Sequence, residues 1–135
     1  MAIRNIDNNI YTIRKTIEIL DLPITGAYNS SVTCYLSLFN NSVTLSINSF
    51  SCTAETNDAI YITLPSKYTL PNSNVIYTFY TLTHVNNVTG ATSVTYNVST
   101  GIISIYSNFG EPLTPFPIGM SFSLAMPPTY YFNLL

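Results

Sequence analysis

Val43-Thr44-Leu45-Ser46-Ile47-Asn48 is apolar at every second position and polar between, a period of two that predicts a half-buried β-strand. Outward from it the pattern recurs. Val32, Cys34, Leu36 and Leu38 form one face of a preceding strand, and Ile60, Ile62 and Leu64 one face of a following one. Val94, Tyr96 and Val98 repeat it, as do Met120, Phe122, Leu124 and Met126. Residues 75–84 differ, with Val75, Tyr77 and Phe79 on one face and Ile76, Tyr80 and Leu82 on the other. A strand apolar on both faces needs two covers. Thr100-Gly101 separates the segments 92–99 and 102–107, as a hairpin turn would. Asn72-Ser73, the 86–90 stretch and Pro112, Pro115 and Pro117 mark loops. Some seven or eight short strands with no helical pattern among them predict a β-sandwich or jelly roll over residues 32–135.

The composition narrows the function. The chain has 135 residues, enough for one domain and a short appendage. Only 7% are charged, and the net charge is −2. Neutral polar residues replace the charges: 15 Asn, 15 Ser and 18 Thr, beside 11 Tyr, 7 Phe and no Trp. Binding to nucleic acid needs clustered Lys and Arg, and four basic residues do not supply it. No run of 18 apolar residues predicts a membrane-spanning helix. The N-terminus reads as lacking a secretory signal.

The charges are uneven. Arg4, Asp7, Arg14, Lys15, Glu18 and Asp21 crowd the start, while Glu55, Asp58, Lys67 and Glu111 are spread over the rest. Within that charged start, Ile3, Ile6, Ile10, Ile13, Ile17 and Leu20 are spaced 3, 4, 3, 4, 3. The spacing is that of a heptad seam, and Ile at both core positions favours trimers or tetramers. It predicts a trimeric coiled-coil stalk over 1–21, ended by Pro23, and a linker over 22–31 carrying Gly26. An amphipathic helix docked on its own domain is the alternative.

Residues for catalysis are scarce. The single histidine, His84, has no carboxylate nearby in sequence, so neither a Ser-His-Asp nor a Cys-His site is indicated. Cys34 and Cys52 lack metal-ligand spacing. Cys34 shares a face with Leu36 and Leu38 and reads as a buried thiol, with a Cys34–Cys52 bond left open. Glu55 and Asp58 sit together in one loop. The glycines are scattered singly, so no phosphate-cradling loop is present. The expectation is a non-enzyme without cofactor or metal. Four sequons, at Asn29, Asn40, Asn87 and Asn97, are the chance yield of so much Asn, Ser and Thr. A neutral surface rich in Tyr and Asn suits uncharged partners, such as a glycan or a protein loop. Tyr68, Asn72, Asn74, Asn86, Asn87, Asn108 and Phe109 are the candidate recognition residues.

Ile62-Thr-Leu-Pro65, then Tyr68-Thr-Leu-Pro71 and an aromatic strand, resemble the middle of the trimeric jelly-roll heads of the C1q and tumour-necrosis-factor superfamily. Val98-Ser-Thr-Gly-Ile-Ile-Ser-Ile-Tyr106 is similar to a hairpin of those heads, and Gly119–Leu124 with Tyr130-Tyr131-Phe132 resembles their closing strand. Relatives of such heads cap viral and phage fibres and collagen-like viral proteins. The Asn/Thr/Ile/Tyr-rich composition also resembles proteins of giant viruses and virophages. The resemblance implies a homotrimeric head that attaches to a host-surface glycan or a virion protein. The expected location is the virion, or the host cytoplasm during assembly. A purely structural virion or assembly protein without a ligand, or a soluble C1q-like binding module, are the alternatives. Family heads that bind calcium use acidic loops, and no binding residue of the family carries over to this chain.

Overall fold

The computed structural model describes residues 15–28, 31–55, 58–85, 88–106, 116, 119–124 and 129–134. Among them the chain is mainly β and antiparallel. Its strands are β1 (Lys15–Thr25), β2 (Ala27–Tyr28), β3 (Ser31–Phe39), β4 (Ser42–Ile47), β5 (Ser51–Ala54), β6 (Ile60–Thr63), β7 (Ile76–Val85), β8 (Val88–Asn97), β9 (Ile102–Ile105), β10 (Ser121–Leu124) and β11 (Thr129–Asn133). The one helical element described is a 3-10 turn over Ser66–Tyr68.

The strands run in the order β11-β4-β3-β1-β6-β9-β8-β7-β10-β5-β2. β1 belongs to two ladders. Lys15–Pro23 pair with β3, and only Ile24 and Thr25 reach β6. At Gly26 the chain turns with φ 95°, a conformation that glycine takes without a Cβ penalty. Ala27 and Tyr28 then pair with β5. β1 and β2 are therefore the two ends of one eight-strand ladder, and Gly26 joins them covalently. Glu55 N–H donates to Gly26 O at 2.8 Å beside this junction.

The four-strand ladder β11-β4-β3-β1 packs its inner face on the larger one. Val32, Cys34, Leu36 and Leu38 of β3 and Val43, Leu45 and Ile47 of β4 are all buried. The alternation read from the sequence selects these side chains, as a period of two requires. Aromatic rings join the layers. Phe132 of β11 lies 4.5 Å from Tyr96 and 5.6 Å from Tyr77, and Tyr130 lies 4.2 Å from Phe79, between ring centroids. Tyr77 Oη donates to Asn133 O at 3.0 Å. Between β7 and β8 the buried hydroxyls of Thr83 and Thr92 satisfy each other. The layering is consistent with the expected β-sandwich.

The stalk is corrected where it can be seen. Residues 15–21 are strand, not helix, and the linker expected over 22–31 is largely strand as well. Ile17 and Leu20 therefore lie on opposite faces and form no seam. Nine consecutive register partners on β3 hold this segment extended. Thr16, Ile17, Ile19 and Ile24 are β-branched and fit a pleated surface better than a helix. Ile3, Ile6, Ile10 and Ile13 lie outside the described residues.

Candidate functional site

Few titratable groups are available to build a site, and Glu18, Asp21, Asp58 and Lys67 are engaged in structure. Glu18 points to the inner side of β1. Its carboxylate accepts from Tyr68 Oη at 2.6 Å and from Lys67 Nζ at 3.1 Å. The Tyr68 hydroxyl and Lys67 hold the Glu18 carboxyl below its ordinary range. Burial, with Glu18 beside it, pushes the Tyr68 phenol up. Asp58 accepts from its neighbour Ala59 N–H at 2.7 Å and from Tyr61 Oη at 3.0 Å, which fixes the loop before β6. His84 sits on the outer face of β7, opposite Ser123. Among the described residues no three of His, Cys, Asp and Glu gather as a metal site would require, and no helix is long and apolar enough to cross a membrane.

The thiols are inert in character. Cys34 and Cys52 are both free and buried. Burial pushes each up to about 12, with the charge of Asp21 adding to the effect at Cys34. Only the thiolate is nucleophilic, so neither cysteine in the folded chain is expected to react with a thiol reagent at pH 8. Both should react once urea unfolds it. Mass spectrometry after brief alkylation checks this, and rapid labelling of either cysteine in the native chain contradicts it.

The candidate recognition residues divide. Tyr68 is withdrawn: its ring is fully buried, and its carbonyl oxygen accepts a bond from the Tyr96 hydroxyl. A position between two prolines reads as a loop, but the 3-10 turn folds this residue inward under β1. Asn72 and Asn74 are exposed between the 3-10 turn and β7. Asn86, Asn87, Asn108 and Phe109 lie outside the described residues. The register places Asn72 and Asn74 at the end of the sandwich where the chain enters β1. That end also holds the Phe39–Ser42 turn and Gly101. The strand ends at Val85 and Ile105 lie at the other end.

A feature absent from the sequence reading is the outer face of the four-strand ladder. Level with one another across the strands lie Lys15, Phe39, Ser42 and Asn133, then Ile17, Ser37, Thr44 and Tyr131, then Ile19, Tyr35, Ser46 and Thr129. Asp21 and Thr33 close the face, joined by a 2.6 Å bond from the Thr33 hydroxyl to the Asp21 carboxylate. Five large apolar side chains here are open to solvent: Ile17 at 73%, Tyr131 at 71%, Ile19 at 65%, Phe39 at 51% and Tyr35 at 42%. A shallow depression of about 230 Å³ between β4 and β11 borders Tyr131. The signal was present in the chain. Ile17 and Ile19 alternate with Thr16 and Glu18, and Tyr35 and Phe39 interleave with the buried row of β3. The heptad spacing puts Ile17 in a helix core and leaves Ile19 out of it. On the opposite side of the molecule Ile76, Tyr80 and Leu82 of β7 form a second exposed apolar row, matching the two-faced strand expected there. No family model matches the chain, and no curated protein does.

Proposed function

We propose that the chain is a non-enzymatic head domain of the viral fibre or decoration type, which acts through surface contact. The observation that carries this reading is the exposed apolar outer face of the four-strand ladder, set among Ser, Thr and Asn, with Lys15 and Asp21 as its charges at the two ends of its β1 row. Exposed apolar patches rimmed by polar residues mark interaction sites. The engagement of Glu18, Asp58, Cys34 and Cys52 in structure agrees with it. The resemblance to C1q-like heads, with a jelly-roll arrangement, supports attachment to a glycan or a protein as the role. The trimeric stalk is not part of this reading, because the heptad does not continue as a helix through Ile17 and Leu20. Self-association is assigned to the β surface instead.

Binding of the intact chain to a glycan array and to cell surfaces tests the proposal. Contacts made by neutral side chains are screened little by salt, so a signal at low salt should persist within about twofold at 0.5 M. A signal that disappears with salt overturns the neutral-contact mechanism, and no binding to either support overturns the attachment role.

A further inference from the structure

We infer that the outer face of the four-strand ladder is a twofold self-association surface, on which a second copy of this chain stacks face to face with its strands antiparallel. The inference does not rest on the attachment role, and it competes with that role for the same face.

The charges choose the arrangement. Along β1 the exposed positions read Lys15, Ile17, Ile19 and Asp21, a positive end, an apolar middle and a negative end. A twofold axis lying in the contact plane, perpendicular to the strands at the level of Glu18, keeps β1 over β1 and inverts its direction. Lys15 of each copy then lies level with Asp21 of the other, and Ile17 lies level with Ile19. Both apolar rows are covered and both charges meet an opposite charge, twice by symmetry. An axis along the strands would place β1 over β11, which offers Lys15 no acidic residue at its level. Asp21 is already oriented by the Thr33 hydroxyl at 2.6 Å.

The size sets the strength of the contact. Four strands about 4.8 Å apart and seven residues rising about 3.3 Å each give a footprint near 440 Å². Two such faces bury roughly 900 Å² in total, short of the roughly 1,000 Å² of a stable interface and in the range of a weak, transient one. Association is therefore expected at micromolar concentration rather than nanomolar. Sheets packed face to face interdigitate their side chains about 10 Å apart, and Ile, Tyr and Phe suit that spacing.

Pairing edge to edge, the other way for β1 to meet its copy, is disfavoured by the same strand. The edge of β1 over 15–21 that has no strand partner among the described residues ends at Pro23, which has no N–H to donate. Antiparallel pairing that matched Lys15 with Asp21 would set the two Glu18 carboxylates directly opposite on the inner side, and like charges so placed are destabilising. An inward charge on an edge strand guards against such pairing.

Light scattering of the full chain across about 5 to 200 μM tests the inference. The expected result is a shift from 15.0 kDa toward twice that mass. Ile19→Asp should weaken association at least tenfold, while Tyr80→Asp on the opposite face should leave it within about twofold. Lys15→Asp and Asp21→Lys should each weaken it several-fold, and the double exchange should recover it to within about threefold. Circular dichroism of each variant establishes that the monomer is folded. A wild-type monomer throughout, or a trimer, overturns the inference. So does a double exchange as weak as the singles, or a loss caused by Tyr80→Asp as large as that caused by Ile19→Asp.

Discussion

Phe132→Ala is expected to lower the unfolding free energy by about 3–5 kcal/mol, the range for a large aromatic removed from a core. Phe132 is buried on the inner face of β11, with Tyr96 at 4.5 Å and Tyr77 at 5.6 Å between centroids. It connects the C-terminal strand to the larger ladder, and the cavity left by its ring opens between two layers that β-pairing holds apart. Relaxation can close little of it. Its neighbour Tyr131 points the other way and is 71% exposed, so Tyr131→Ala should change monomer stability by no more than about 0.5 kcal/mol. Urea unfolding of both variants below the concentration at which the chain associates checks the contrast. Equal losses at the two positions contradict the register in which Phe132 faces Val43 and Tyr131 faces Thr44.

Gly101→Ala is expected to cost about 2–4 kcal/mol, combining a left-handed backbone with overpacking. Gly101 has φ +77°, and a Cβ there would stand 2.8 Å from Thr69 Cγ2 and 3.0 Å from Leu64 O. Leu64 N–H donates to Gly101 O at 2.8 Å, and Gly101 N–H donates to Asn97 O at 2.9 Å. The residue thus clamps the start of the 64–75 loop onto the β8–β9 hairpin. Thr69→Ser removes the Cγ2 methyl and keeps the hydroxyl that donates to Ser66 O at 2.7 Å. Combined with Gly101→Ala it should recover the steric part of the loss, about 1 kcal/mol, and leave the backbone part. Thermal unfolding of the single and double variants separates the two. A double variant no more stable than Gly101→Ala would place the whole cost in the backbone.

How far the sequence could be read follows from which contacts are local. Alternation in 43–47, 60–64 and 94–98 is a property of each strand alone, because a period of two exposes one face and buries the other whatever the neighbours are. β4 contains the first of these segments, β6 and β8 contain all but the last residue of the other two, and the expected residues are buried, Leu64 and Val98 included. Thr100-Gly101 announced its hairpin for the same reason, since a turn depends on the few residues that make it. Glu18 and Tyr68 were not legible. They are far apart in the chain, and neither shows in its own surroundings that a carboxylate under β1 draws a loop tyrosine into the core.

By itself, then, the sequence determined a mainly β chain with alternating strands over its C-terminal three-quarters, short turns between them and little titratable chemistry. Tertiary structure decided the conformation of residues 15–25. There Ile17 and Leu20 satisfy a heptad while Glu18, Leu20, Leu22 and Ile24 satisfy a strand, and local propensity separates the two by only tenths of a kcal/mol per residue. The ladder to β3 and the covering loop at Tyr68 supply the difference, and both lie outside the segment they fix. The exposed Ile17–Tyr35 face exists only because that choice fell to the strand. A helix would have turned Ile17 toward the seam. The extended backbone sends it outward beside Ile19 and Tyr35, onto a surface assembled from strands that no single stretch of sequence contains.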